Sequence, residues 1–222
     1  MKKFILSLVS ASVIGLSSSA QSFEGQINYS IEIKGEYAAM LSGMLPNSID
    51  VYASGKDFLI RKNGGMKPAP DVLTKGDEKA AYILMHNKKT AYKISDNDKK
   101  KEKPAIENKG EETVNGYKCT KYLVKFPKDE KAEVYQYMWY TKDIKIAQPK
   151  GSELFISDME GFPVKIDQYA TVSQMGTTMT INQEMVLTKI TETKPSASLF
   201  EVPKKYKIEA YDEEKLLKSA QE

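Results

Sequence analysis

An alternation of apolar and polar residues with a period of two runs along most of this 222-residue chain, and it constrains the fold more than any other feature. In the first such run, Ile27, Tyr29, Ile31 and Ile33 fall on one side, and polar residues fall between them. This pattern is typical of a half-buried β-strand, and roughly ten runs of this kind follow one another with turn residues between them. We therefore predict a mainly β (α+β) fold, in which a large antiparallel sheet curves into a half-open barrel that protects its edges.

Turn residues indicate where successive strands meet. The dipeptide Asn115-Gly116 is the strongest hairpin signal in the chain. Ser54-Gly55 and His86-Asn87-Lys88 predict two further turns.

Two stretches lack any periodicity, and we predict that both are long loops: Lys62–Asp77 and Asp96–Glu112. A short apolar run at Leu154–Ser157 is predicted to be a strand. No change of composition divides the chain, so residues 21–222 are predicted to form a single domain.

Two short helices interrupt the strand pattern and are predicted to plug or flank the barrel. The first covers Tyr37–Leu45, where Tyr37, Met40, Leu41 and Met44 fall on one helical face, and Pro46 ends it. The second is a C-terminal helical tail at about 212–220, with Asp212 as its N-cap.

The first 20 residues have the composition of a secretory signal peptide. Lys2 and Lys3 precede an apolar run, and small residues ending at Ala20 offer a cleavage site. The run is shorter than the roughly 20 apolar residues that span a bilayer. A lipoprotein signal would require a cysteine at the cleavage site, and none is there. We predict a periplasmic or secreted protein with no transmembrane span in the mature chain.

Composition excludes several functional classes. Cleavage removes two of the 33 basic residues and leaves a nearly neutral chain, which disfavours nucleic-acid binding. One cysteine and one histidine cannot form a zinc site, so neither a metal nor a cofactor is predicted. Cys119 is expected to be a buried apolar residue rather than a reactive thiol or a lipid attachment point. His86 is interpreted as a turn residue rather than a catalytic base, and no nucleophile or phosphate-binding motif accompanies it.

Apolar residues on both faces of one strand suggest an interior cavity. In the run from Glu133 to Thr141, one face presents Tyr135, Tyr137 and Trp139, and the other presents Val134, Met138 and Tyr140. Such a strand needs cover on both sides, which a packed core or a cavity would supply. Ten methionines add adaptable apolar side chains. The candidate cavity-lining residues are Tyr37, Met40, Leu41, Met44, Tyr135, Tyr137 and Trp139.

Several short motifs together resemble a family of secreted proteins from Bacteroidota-type bacteria that is described only as a domain of unknown function. They are Phe23 to Tyr29, Asn115 to Tyr122, Trp139 to Ile144, Glu160 to Pro163 and Leu199 to Tyr206. That family is similar to the periplasmic lipoprotein-carrier (LolA-like) group. The resemblance implies an incomplete antiparallel barrel whose short helices plug an apolar concavity that holds acyl chains, with the Tyr37–Leu45 helix as the plug. It implies no enzymatic activity. Arg61, the only arginine, is the candidate for the basic residue by which such carriers act.

Three hypotheses follow from the sequence. The first is a non-enzymatic exported protein that binds a lipid, an acyl chain or another apolar small molecule in the half-open barrel. The second is a structural or interaction protein of the cell envelope, with a solid core and loops that bind a protein partner. The third is a hydrolase that uses a pair of carboxylates.

Overall fold

A computed structural model of the chain describes residues 23–78, 80–94, 103–127, 132–146, 155–156, 158–174 and 177–212. The predicted signal peptide (1–20) lies outside the described residues, as does nearly all of the predicted C-terminal helix. Within the described residues the protein forms a sheet of twelve strands. In chain order the strands are β1 (Glu24–Lys34), β2 (Ser48–Ser54), β3 (Asp57–Asn63), β4 (Asp71–Lys75), β5 (Ala80–Met85), β6 (Thr90–Ile94), β7 (Ala105–Val114), β8 (Tyr117–Lys125), β9 (Ala132–Thr141), β10 (Phe162–Gln174), β11 (Thr177–Thr191) and β12 (Lys207–Ala210). One α-helical turn, α1 (Ala38–Leu41), follows β1, and a 3-10 turn at Ala197–Phe200 precedes β12.

The sheet is an open meander whose two ends do not meet. Its strand order is β12-β6-β5-β4-β3-β2-β1-β11-β10-β9-β8-β7. Neighbouring strands are antiparallel, except that β12 runs parallel to β6. The prediction of a mainly β fold with a large curved, unclosed sheet is confirmed.

Four strands were not predicted, and one predicted strand is wrong. β2 and β12 correspond to no predicted run, β4 lies within the predicted loop Lys62–Asp77, and most of β7 lies within the predicted loop Asp96–Glu112. Residues 155–156 of the predicted strand Leu154–Ser157 are not in a strand.

The turn at Asn115-Gly116 is confirmed, because both residues have positive φ, as a tight hairpin between twisted strands requires. The turns at 54–55 and 86–88 are confirmed as well.

The helix predicted at Tyr37–Leu45 is shorter than expected, since only Ala38–Leu41 is α-helical. No side chain caps its N-terminus, no acidic residue lies in its first turn, and Gly43 carries a low helix propensity. The chain continues beyond it as turns, with the Leu45 N–H still donating to the Leu41 carbonyl at 3.0 Å.

The main core lies on one side of the sheet, which we call the inner face and define by Ile27, Tyr29 and Ile31 of β1. Strand register places Val51 and Ile60 on this face, on β2 and β3. On the other half of the sheet the same face carries these residues: Met185 of β11, Ile166 of β10, Met138 of β9 and Tyr122 of β8. The buried inner-face side chains of both halves belong to one contiguous cluster, so the sheet curls around a single core.

A second, smaller core covers the opposite side of β3–β6, which belongs to the outer face. Leu59, Leu73 and Leu84 project outward there. Residues 195–211, which we call the C-terminal strap, cross over them, and Phe200 of the strap is buried among them. Leu199, Val202 and Tyr206 pack against the same cluster. The strap then adds β12 to the edge strand β6.

Candidate ligand-binding site

The centre of the inner face is filled by its own side chains. Tyr29, Met138 and Tyr140 are fully buried there. The Tyr29 hydroxyl donates to the carbonyl of Pro163 at 2.9 Å, and the Tyr140 hydroxyl accepts from the N–H of Ile156 at 3.2 Å. Burial raises the pKa of Tyr29 and of Tyr140 well above the usual value for tyrosine, so both hydroxyls remain protonated and neutral. A ligand therefore has to bind beside this centre rather than within it.

A groove of about 340 Å³ lies beside the centre, at the end of β1. Pairing between β1 and β2 ends at Ser30, so the last residues of β1 have a free edge on that side. The chain turns back over this edge through Gly35, which has a φ of 91°, and then forms α1. The groove is lined by Ile31, Glu32, Ile33, Ala38, Ala39, Ser42, Pro46 and Asn47.

The free edge of β1 gives this groove polar groups as well as apolar walls. The N–H of Ile31 donates to the carbonyl of Asn47 at 2.7 Å, so the peptide groups of Ile31 face the groove side of the strand. Alternate residues of a strand direct their N–H and C=O groups to the same edge. Ile33 therefore presents its N–H and C=O toward the groove. This combination suits an amphipathic molecule, with an apolar body and a polar group at one end.

Four of the predicted cavity residues lie in the segment around α1, although none of them lines the groove. Leu41 is buried against the main core, and Tyr37 packs on the same cluster. Met40 and Met44 point away from it and are 55% and 49% exposed. The expected apolar stripe therefore divides, because a single helical turn can bury only one side against the sheet.

The other three predicted residues, Tyr135, Tyr137 and Trp139, lie on the outer face of β9. Their inner-face neighbours on the same strand are Met138 and Tyr140. The structure therefore does not bring the two groups of candidates together.

On that outer face, the aromatic side chains are covered by neighbouring strands. Tyr135 stacks on Tyr169 of β10 with ring centroids 4.9 Å apart. Trp139 is buried between two ammonium groups, with Lys121 and Lys165 lying 4.6 and 4.8 Å from its ring centroid. Lysine side chains commonly cover apolar surface in this way. Side chains of the neighbouring strands therefore cover the apolar outer face of β9, and this face does not line a cavity.

Sequence reasoning missed a polar network on the outer face, at the edge of the second core. The buried carboxylate of Asp71 accepts from Arg61 through Nε at 3.0 Å and Nη2 at 2.8 Å. His86 Nε2 lies 3.0 Å from the same oxygen, and His86 Nδ1 lies 2.7 Å from the hydroxyl of Tyr206. His86 is thus more than a turn residue, since it joins the sheet to the strap. Arg61 is engaged here rather than at the groove.

Cys119 is buried, as predicted, and burial raises the pKa of its thiol. Among the described residues, no group of three or more His, Cys, Asp or Glu side chains is placed to hold a metal ion. In the same part of the chain, no helix is both long enough and apolar enough to cross a membrane.

Comparison with known proteins gives a family match and several distant structural matches. No curated protein matches the chain significantly. LprF from Mycobacterium bovis is 11% identical, with a TM-score of 0.32 over 78% of this chain and 89% of that chain. An uncharacterized conserved protein from Thermus thermophilus is 10% identical, with a TM-score of 0.45 over 85% of this chain and 91% of that chain. A LolA superfamily protein from Nitrosomonas europaea is 7% identical, with a TM-score of 0.32 over 82% of this chain and 91% of that chain. The predicted resemblance to a family of unknown function is confirmed, because residues 55–149, from β3 to β9, match the model described as Domain of unknown function (DUF4412).

Proposed function

We propose that this chain is an exported, non-enzymatic carrier that holds a lipid or another amphipathic small molecule in the groove between the end of β1 and α1. The observation that carries the proposal is the groove itself, which joins apolar walls to the free peptide groups of Ile33. Its volume of about 340 Å³ falls within the range of about 300–1,000 Å³ that is typical of small-molecule sites. The predicted signal peptide supports an envelope or extracellular location.

The segment around α1 is suited to act as the cover of this site. It is anchored to the core by the buried side chain of Leu41, while Met40 and Met44 of the same segment remain exposed. Methionine is flexible and adapts to apolar ligands of varied shape. In this proposal the two methionines form the rim across which an acyl chain enters.

A fluorescent fatty-acid probe tests the proposal, with the mature protein titrated at constant probe concentration. Saturable binding is expected, and Ala39→Trp should abolish it by filling the groove. Met40→Asp and Met44→Asp should weaken it by placing charges at the rim. Ile208→Asp is the matched control, because Ile208 is also exposed but lies on β12, at the far edge of the sheet.

Circular dichroism of each variant would verify that the sheet still folds. Absence of saturable binding in the folded protein would overturn the proposal, and so would binding that Ala39→Trp leaves unchanged. Mass spectrometry of organic extracts from natively purified protein would then identify the natural ligand.

A second function, that of an envelope interaction protein, is favoured by the filled centre of the inner face. Tyr29, Met138 and Tyr140 leave no room among themselves for a ligand. Co-purification of one stoichiometric protein partner, with no extractable lipid, would support this function over the carrier.

A further inference from the structure

Three exposed large apolar residues lie in neighbouring segments of the described part of the chain. Among the described residues, four large hydrophobic side chains are exposed: Met40, Met44, Met66 and Ile208. The first three are all methionines, and they are 55%, 49% and 74% exposed. We call these three residues the methionine patch.

The backbone holds these three residues close together. Met40 lies in α1, and Met44 follows it by four residues, in the turns after α1. The N–H of Met66, from the loop after β3, donates to the carbonyl of Met44 at 3.3 Å. Gly65 permits this approach, because it has a φ of 85° and a Cβ there would lie 2.9 Å from the same carbonyl oxygen.

The residue type separates this patch from an ordinary apolar surface. Leucine or isoleucine would serve equally well for apolar contact, but only methionine also offers a thioether sulfur. Thioethers are soft ligands that select Cu(I), whereas hard divalent cations prefer oxygen ligands. Thioethers also form no disulfides, so they remain available as ligands in an oxidising compartment.

We propose that Met40, Met44 and Met66 form a surface site for a monovalent soft metal ion, Cu(I), bound by three thioether sulfurs. Each side chain has three rotatable bonds, so the sulfurs can converge on one ion above the hydrogen-bonded loops. The proposal is independent of lipid binding, although the same segment contributes to both.

The test uses the mature protein with Cys119→Ser, which removes the only thiol that would compete for the ion. Copper is kept as Cu(I) with ascorbate and is supplied from a chromophoric chelator, while the methionine methyl groups are followed by NMR. One equivalent of Cu(I) should bind, and three methyl signals should shift. Each of Met40→Leu, Met44→Leu and Met66→Leu should raise the dissociation constant at least about tenfold, which corresponds to about 1.4 kcal/mol.

Met179→Leu is the matched control, because Met179 lies on β11, away from the patch, and its replacement should leave the affinity unchanged. No saturable Cu(I) binding, or binding that survives the triple leucine variant, would overturn the proposal. Ala39→Trp, which fills the groove, should abolish binding of the fatty-acid probe and leave Cu(I) binding unchanged. Cu(I) binding by a folded variant that no longer binds the probe therefore distinguishes this site from the proposed carrier site.

Discussion

Replacing Asp71 with asparagine would test the polar network that joins the sheet to the strap. The Asp71 carboxylate is almost completely buried, and one of its oxygens accepts two hydrogen bonds from Arg61 and lies 3.0 Å from Nε2 of His86. Asparagine has nearly the same shape but carries no charge. Asp71→Asn would therefore leave the Arg61 guanidinium without its counter-ion while keeping the packing of the second core.

The expected loss of stability is about 2–3 kcal/mol. Breaking a fully buried ion pair costs about 3–5 kcal/mol, because a buried charge is left unpaired. Here the side chains of Arg61 and His86 are 36% and 38% exposed, so water can replace part of the lost interaction. A domain of this size loses about 2–4 °C in melting temperature per kcal/mol. The variant should therefore melt about 5–10 °C below the wild type.

Urea denaturation would measure the free energy of unfolding, and hydrogen exchange would locate the effect. Because His86 contacts Tyr206, the amides of the C-terminal strap, including those of β12, should exchange faster in Asp71→Asn than in the wild type. Asp77→Asn is the control, since the Asp77 side chain is 90% exposed in its pair with Lys56 and should contribute less than about 0.5 kcal/mol. A loss below about 1 kcal/mol in Asp71→Asn, or unchanged exchange in the strap, would refute the reasoning.

Three further predictions concern the core and the outer face. Tyr29→Phe removes the donor to the buried carbonyl of Pro163 and should cost about 1–3 kcal/mol in urea denaturation; a neutral result would contradict the hydrogen bond. Leu41→Ala should lower the free energy of unfolding by about 2–5 kcal/mol and detach the α1 segment from the core, which should weaken binding of the fatty-acid probe. Unchanged probe affinity would show that α1 is not part of the site. Hydrogen bonds from two lysines, first among them Lys165, lower the pKa of Glu184 below its ordinary value of 4.5. These contacts therefore stabilise the fold above about pH 4.5 and lose that contribution as the pH falls through the folded-state pKa. Glu184→Gln should therefore reduce the fall in the free energy of unfolding as the pH is lowered through this range. An unchanged dependence of the unfolding free energy on pH would contradict the assignment.

The sequence predicts strands well where burial imposes an alternation. The run around Ile27 and Tyr29 is readable because every second side chain enters the core. β7 was mistaken for a loop because it is an edge strand whose side chains are mostly exposed, so nothing imposes an alternation on Glu107 to Glu112. β4 is five residues long, and β12 is only four, which is too short for a periodic pattern to emerge.

The candidate site was predicted less well, for two physical reasons. Alternation tells which residues share a face but not which face is inward, so Tyr137 and Trp139 were assigned to a cavity although they lie on the outer face. Long-range contacts also leave no local signal. His86 and Tyr206 are 120 positions apart, and only the path of the strap brings them within hydrogen-bond distance.

Two irregularities of strand register contribute to the curvature of the sheet. The β1–β11 pairing shifts between Asn28 and Tyr29, and the β10–β9 pairing shifts between Pro163 and Lys165. Such bulges bend a strand and increase its twist, and they are also where proline can be accommodated within a sheet. The Tyr29 hydroxyl donates to the Pro163 carbonyl, so one buried side chain ties the two bends together. β1 is eleven residues long and β2 is seven, so β1 extends past Ser30 beyond the end of β2, and its free edge forms a wall of the groove.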